Sequence, residues 1–296
     1  MWVVNVFLTL ITLGICAAWA RVRMRKYLFS QTSFDGDRFA YHGTAEELVR
    51  GYLKAGLVFG VPFYGLTKGP ELIGAGPFLA LGAELLAWVL LVAFIPVAVV
   101  GARRYRLSRT SWRGIRFAFR GPTLEFLKLF LGGALLTGLT LGFYYPTWIT
   151  RRQAFLVSHS YFGSEPFHFD GGDRELRRPF LVAVLLFPLT LGLSWFWFKA
   201  ARDRHFARHT SFGLARLHST ETGRDLMLLK LTNGILLLVT LGLAYPWNVA
   251  RSLSVTYSWL SVRGPLELDA VVQRAQRVSA TGEGLAGFFD TGFDLG

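Results

Sequence analysis

His205 and His209 stand four residues apart in "HFARH", a spacing that places two imidazoles on one helix face and suits a pair of metal ligands. No cysteine and no obvious carboxylate completes that set, and Arg202, Arg204 and Arg208 crowd it with positive charge. An interfacial basic helix is therefore preferred over a metal centre. Glu84 is a second candidate, because it lies inside the apolar block "FLALGAELLAWVLLVAFIPVAVV" (78–100). An ionisable group there is a functional hypothesis by default, with proton or cation coupling as its natural role. It also falls near the start of its block, where it would meet headgroups. Glu47, Glu125, Glu175 and Asp225 share one repeat register and suit capping or ion pairing better than acid–base catalysis. His42, His159, His168 and His218 lie on or near short β-like stretches. An interfacial lipid-modifying enzyme would need His159, His168 and Glu175 to converge. The sequence holds no Gly-Lys-Ser/Thr phosphate loop, dinucleotide fingerprint or Gly-x-Ser-x-Gly elbow. No catalytic residue, cofactor or metal is expected.

The elements that must position these residues are apolar. Of 296 residues, 52% are hydrophobic and 17% charged, against about 25% charged in an ordinary soluble domain. Apolar blocks run over 2–20, 78–100, 129–149, 180–198 and 231–249, with a weaker one at 48–66 that carries Arg50 and Lys54. About 20 such residues cross the ~30 Å of a bilayer core. The expected fold is thus an all-α polytopic membrane protein of about six transmembrane helices, with small repeated β elements at the membrane surface. The net charge of +13 sits in clusters just past the blocks, as in "RVRMRK" (21–26) and "RRYRLSR" (103–109). Membrane lipids with anionic headgroups are the partners this implies, and nucleic acid is not. Residues 2–20 lack a basic leader and a clear cleavage site, so they are expected to remain as a first helix, in a chain shortened at its N-terminus. The single cysteine, Cys16, falls in that block as a small apolar residue.

One phrase recurs: "ITLGICAAW" (11–19), "LTLGFYYPTW" (139–148), "LTLGLSWFW" (189–197) and "VTLGLAYPW" (239–247). Its glycines are Gly14, Gly142, Gly192 and Gly242, preceded by Thr12, Thr140, Thr190 and Thr240 and followed by Trp19, Trp148, Trp197 and Trp247. Asn5 and Asn233 stand nine positions ahead of their glycines. Thr can return a hydroxyl bond to its own helix, Gly permits a bend, and Trp anchors at the interface, so the phrase is expected to punctuate a helix end. "TSFDGDRFAYHGTAEEL" (32–48) likewise matches "TSWRGIRFAFRGPTLEF" (110–126) residue by residue. Each combines a Gly turn, an alternating stretch and a helix start, as at Thr44 with Glu47. A repeated unit of apolar helix, basic elbow and small β element follows.

On the "LTLG" phrases with their downstream Trp, the basic elbows, "TSFDG", "FAYHGT" and the end "GEGLAGFFDTGFDLG", the chain resembles the YjgN-like family of bacterial inner-membrane proteins. The resemblance covers essentially the whole chain. It implies an inner-membrane location and supplies no catalytic residues to carry over; the multi-pass expectation rests on the apolar blocks.

Lys and Arg number 7 in 21–54, 1 in 67–77, 8 in 101–128, 5 in 150–179, 7 in 199–230 and 4 in 250–296. Alternation of this kind places 21–54, 101–128 and 199–230 in the cytoplasm. Segment 150–179 fits poorly, because it carries the same kind of β element with hardly fewer basic residues. Either the halves are inverted repeats or some "LTLG" helices are re-entrant, keeping the β elements on one side. Residues 1–269 are expected to form one repeat-built transmembrane domain, and 270–296 an amphipathic, then Gly-rich acidic tail. The expected function is non-enzymatic: transport of a solute or lipid, or envelope organisation. Transport would use a midplane cavity lined by Asn5, Asn233, the repeat threonines and Glu84. The alternative is a scaffold or lipid-binding platform.

Overall fold

The computed structural model describes residues 15–265 and residue 271. Asn5, Thr12, Gly14 and, apart from Val271, the tail from 270 lie outside the described residues. The chain divides between residues 131 and 132 into two compact units.

In the first unit, α1 (Ile15–Gln31) leads into β1 (Ser33–Phe34) and β2 (Asp37–Tyr41). Asp35 and Gly36 turn between these strands with φ of 48° and 82°. Paired positive values make the two-residue turn whose twist matches antiparallel strands, and Asp-Gly supplies it at least cost. α2 (Ala45–Ala55) then begins on a complete capping box between Thr44 and Glu47. It continues through a π segment (Gly56–Gly60) into α3 (Val61–Leu72), whose Pro62 has no amide hydrogen to donate. α4 (Pro77–Ser108) returns to β3 (Thr110–Trp112), which pairs with β2 in the register Phe39↔Trp112. β4 (Ile115–Phe119) completes the strands of this unit through a second such turn at Arg113-Gly114. Leu48, Tyr105, Ala18 and Ala102 close a core where helix feet meet strand.

α5 (Thr123–Leu139) enters the second unit at residue 132. There follow α6 (Tyr145–Ser158), β5 (Ser160–Phe162), β6 (Glu165–Phe169), α7 (Arg174–Leu186) and α8 (Ser194–Arg208). Next come β7 (Thr210–Phe212), β8 (Ala215–Ser219), α9 (Gly223–Val239), α10 (Tyr245–Ser258) and β9 (Leu260–Arg263). β5 to β9 pair antiparallel in chain order, with Phe167 opposite Phe212 and Leu217 opposite Val262. Ile149, Leu176, Phe180 and Phe198 pack between α6, α7 and α8 just beneath the strands.

The chain is therefore not an all-α bundle of six crossings. Nine antiparallel strands stand among the described residues, and α4 is the one described helix long and apolar enough to cross a membrane. Three of the expected crossings fail for a single reason. The blocks 129–149, 180–198 and 231–249 each break near the middle, at 140–144, 187–193 and 240–244. Hydropathy averaged over such a block cannot distinguish one long helix from two short ones folded back on each other.

Candidate membrane-lipid site

The recurrent phrase builds these breaks. Leu141, Leu191 and Leu241 adopt left-handed φ of 49°, 48° and 48°, and the glycines that follow, Gly142, Gly192 and Gly242, have φ of 94°, 87° and 85°. The glycine amides donate back to Thr137 O (2.7 Å), Phe187 O (2.9 Å) and Leu237 O (2.8 Å), the six-residue closure that terminates a helix. The Thr140 hydroxyl donates to Leu136 O at 2.7 Å and accepts the Tyr144 amide at 3.0 Å. Thr190 and Thr240 do the same between Leu186 and Ser194 and between Leu236 and Ala244. One hydroxyl thus closes the old helix and caps the new one. The threonines bond back to their own helices at a break between two helices.

Each reversal folds its arms together. Gly133 leaves room for the Trp148 indole, since a Cβ there would sit 2.0 Å from Trp148 Cδ1. The Ser194 hydroxyl donates to Ala183 O at 2.8 Å across α7 and α8. Asn233, buried, donates to Ser252 Oγ at 2.8 Å and accepts Arg251 Nη1 at 3.0 Å. Its backbone carbonyl accepts from Asn248 Nδ2 at 2.8 Å. Asn233 is a tie between α9 and α10.

The tips of the reversals carry no charge. From 129 to 150, from 179 to 198 and from 231 to 250 there is no Asp, Glu, Lys or Arg. Leu141, Leu191 and Leu241 are 89%, 92% and 92% exposed, and Phe143, Leu189 and Leu243 beside them are exposed too. A left-handed leucine costs roughly 1–2 kcal/mol, and water would not reward its exposure. Basic residues meet the arms below the tips: Arg152 lies over the Trp148 ring at 5.7 Å and Arg251 over Trp247 at 5.3 Å. Trp197 packs against Gly223 and remains half-exposed, as does Trp19 on α1. Glu84 is exposed in the second turn of α4, far from the basic end of that helix.

Beside α6 and α7 runs a groove of about 720 Å³. Thr140 and Phe143 line it at the tip end, Pro146, Phe180 and Leu181 along its length, and Arg151, Asp173 and Arg177 at the strand end. Asp173 accepts from the Thr147 hydroxyl and from Arg177 Nη2 (2.8 Å), and these bonds hold its carboxyl below the usual carboxylate range. Arg177 is thereby paired with Asp173. Arg151 is exposed and lies over the Tyr144 ring at 5.9 Å, so its charge faces the groove mouth. Nothing in the sequence pointed to Thr147, Asp173 or Arg177, because the groove forms only once α6 and α7 are brought together.

Of the other sequence candidates, Glu47 accepts from Arg109 and Tyr105, Asp225 accepts from the Thr222 hydroxyl in the first turn of α9, and His42 meets Ser111 Oγ at 2.8 Å. His159 stacks on Phe155 and His168 is exposed on β6. Glu175 instead goes to His205 and His209, supplying the carboxylate that their own stretch of sequence lacks.

A family profile described as "Bacterial protein of unknown function (DUF898)" matches residues 1–195 and 180–288. "Inner membrane protein YjgN" of Salmonella typhimurium is 32% identical over 117 residues, which is 40% of this chain and 27% of that protein. The protein of the same name from Escherichia coli K12 is 36% identical over 117 residues, with the same shares covered. The matched stretch thus spans about a quarter of the length of these curated relatives. No solved structure matches the chain significantly.

Proposed function

The chain belongs to the DUF898 family of bacterial proteins of unknown function, and from that premise we propose that it is a non-enzymatic platform on the cytoplasmic leaflet of the inner membrane. Its hairpins enter the lipid from one side, and it binds anionic lipid headgroups. The observation that carries this reading is the set of three charge-free tips, each topped by a leucine held out on left-handed backbone. Apolar tips of this kind suit hydrocarbon. Their arms are also too short to cross it. From Lys128 to Leu141, Arg178 to Leu191 and Lys230 to Leu241 the rise is about 20, 20 and 17 Å at ~1.5 Å per residue, short of the ~30 Å core.

The hairpin of α2, α3 and α4 differs in the way a crossing element should. From Arg103 back to Glu84 the rise is about 29 Å. That distance sets Glu84 at the opposite headgroup level, near the exposed Lys68–Glu71 pair. On this reading the α2–α4 hairpin crosses and the other three re-enter, each returning both feet to its own strands. The basic residues of 150–179 then lie on the cytoplasmic side, as the one-sided alternative requires. The name of the relatives supports the coarser point, an inner-membrane location.

The groove beside α6 and α7 suits one phospholipid, with acyl chain along Phe143, Pro146 and Phe180 and headgroup phosphate at Arg151. The test is titration of the detergent-solubilised full chain with short-chain phosphatidylglycerol and phosphatidylcholine, against Arg151→Gln. The expected result is preference for phosphatidylglycerol, weakened about fivefold in the variant, as ~1 kcal/mol per basic residue implies. Equal affinity for both lipids, or no change in the variant, contradicts the headgroup assignment.

A further inference from the structure

Two carboxylates at helix starts are answered very differently. Glu47, at the start of α2, receives the Tyr105 hydroxyl at 3.1 Å from the last turn of α4, and Arg109 Nε at 3.0 Å and Arg109 Nη2 from the residue that follows it. The protein supplies its own cation there. Glu175, in the first turn of α7, is answered from the end of α8 by two histidines at the same spacing of four. His205 Nδ1 lies 3.1 Å from Glu175 Oε2, and His209 Nε2 lies 3.9 Å from Oε1. Among the arginines around this cluster, Arg202 bonds Asp203, Arg204 bonds the Glu221 carbonyl and Arg177 bonds Asp173.

His209 is held as a metal-bound histidine is held. Asp170 Oδ1 is 2.7 Å from His209 Nδ1, and its other oxygen accepts Arg216 at 2.9 Å. A carboxylate on Nδ1 fixes the proton there and turns the Nε2 lone pair inward, the arrangement found behind metal-bound histidines. His205 is buried, and Nε2 of both rings is buried without a hydrogen-bond partner among the described residues. The two rings stand 4.5 Å apart, centroid to centroid. A ligand atom from each of Glu175, His205 and His209 lies within 4.8 Å of the other two.

We infer that Glu175, His205 and His209 form a binding site for a divalent transition metal of the zinc class, with Asp170 orienting His209. Two neutral imidazoles and one carboxylate are a three-ligand set that Zn²⁺ accepts, at about 2.0–2.2 Å per bond. The ion takes the place that a guanidinium fills at Glu47 and clamps the start of α7 to the end of α8. This site is independent of the lipid reading.

The full chain, purified without a polyhistidine tag and stripped with a chelator, is titrated with Zn²⁺ alone by calorimetry, and metal content is measured before stripping. The decisive variant is the double substitution His205→Tyr with His209→Arg, which rebuilds the Tyr105–Arg109 answer to a carboxylate and so should fold. Wild type should take up one ion per chain and the double variant none, with helix content unchanged. Should that variant not fold, Glu175→Gln keeps both rings and should weaken Zn²⁺ at least tenfold. A wild type that binds no Zn²⁺, or variants that bind it as tightly as wild type, overturns the site.

Discussion

Ser194 donates its amide to the Thr190 hydroxyl across 3.1 Å, while the same hydroxyl donates to Leu186 O at 2.7 Å. Two helices that hydropathy merges into one are thereby separated and joined by a single oxygen. Thr190→Val raises the apolarity of the segment, and if the segment were a plain crossing helix the substitution would be neutral or favourable. In the hairpin it removes a cap worth about 1 kcal/mol. The thermal midpoint in detergent should fall by roughly 2–4 °C; an unchanged midpoint would separate the phrase from the reversal.

The adjoining backbone gives a test of opposite signs. A Cβ at Gly142 would meet nothing within 4 Å, so Gly142→Ala acts only through its φ of 94°. It should cost about 1–2 kcal/mol. Leu141→Gly relieves a left-handed leucine and should raise the midpoint in detergent, while removing the apolar tip that lipid rewards. Matching signs for the two substitutions would rule out the left-handed pair as the reason for the turn's sequence.

Burial, with the Asp203 carboxylate adding to it, pushes Glu221 up to about 7 against the pull of Lys199, Arg202 and Arg204. The folded chain then keeps a proton that the unfolded chain has released, so stability is greatest below the unfolded value of 4.5 and declines as pH rises through about 7. Glu221→Gln should leave the midpoint nearly unchanged near pH 4.5 and raise it by several degrees at pH 8. A lower midpoint for the variant at pH 8 would mean that the three cations hold the ionised carboxylate.

Local rules were legible in the sequence where partners lie close along the chain. Thr44 with Glu47 gives the capping box, and Asp35-Gly36 gives the hairpin turn, because each is complete within four residues. The "TLG" phrase was also visible, yet its meaning depends on Leu141, Leu191 and Leu241 taking positive φ, a conformation no propensity assigns to leucine. Basic residues flank each block on both sides, as Lys128 and Arg151 flank 129–149, but a crossing helix and a turned-back pair both accommodate them. The histidine pair was legible as a pair. Its carboxylate was not, because Glu175 reaches His205 only after β6 pairs with β7 and α7 folds against α8.

One-sided entry of the hairpins is tested most directly by thiol accessibility. With Cys16 replaced by serine, single cysteines are placed at the tips by Leu141→Cys, Leu191→Cys and Leu241→Cys, and at strand turns by Ser164→Cys and Leu214→Cys. Spheroplasts and permeabilised spheroplasts are treated with a membrane-impermeant maleimide, and a denatured sample checks that each thiol reacts. The tip cysteines should stay unlabelled in both preparations, and the two strand-turn cysteines should label only after permeabilisation. Labelling of any tip in intact spheroplasts, or of Ser164→Cys without Leu214→Cys, would show that these helices cross the membrane and would contradict the re-entrant platform.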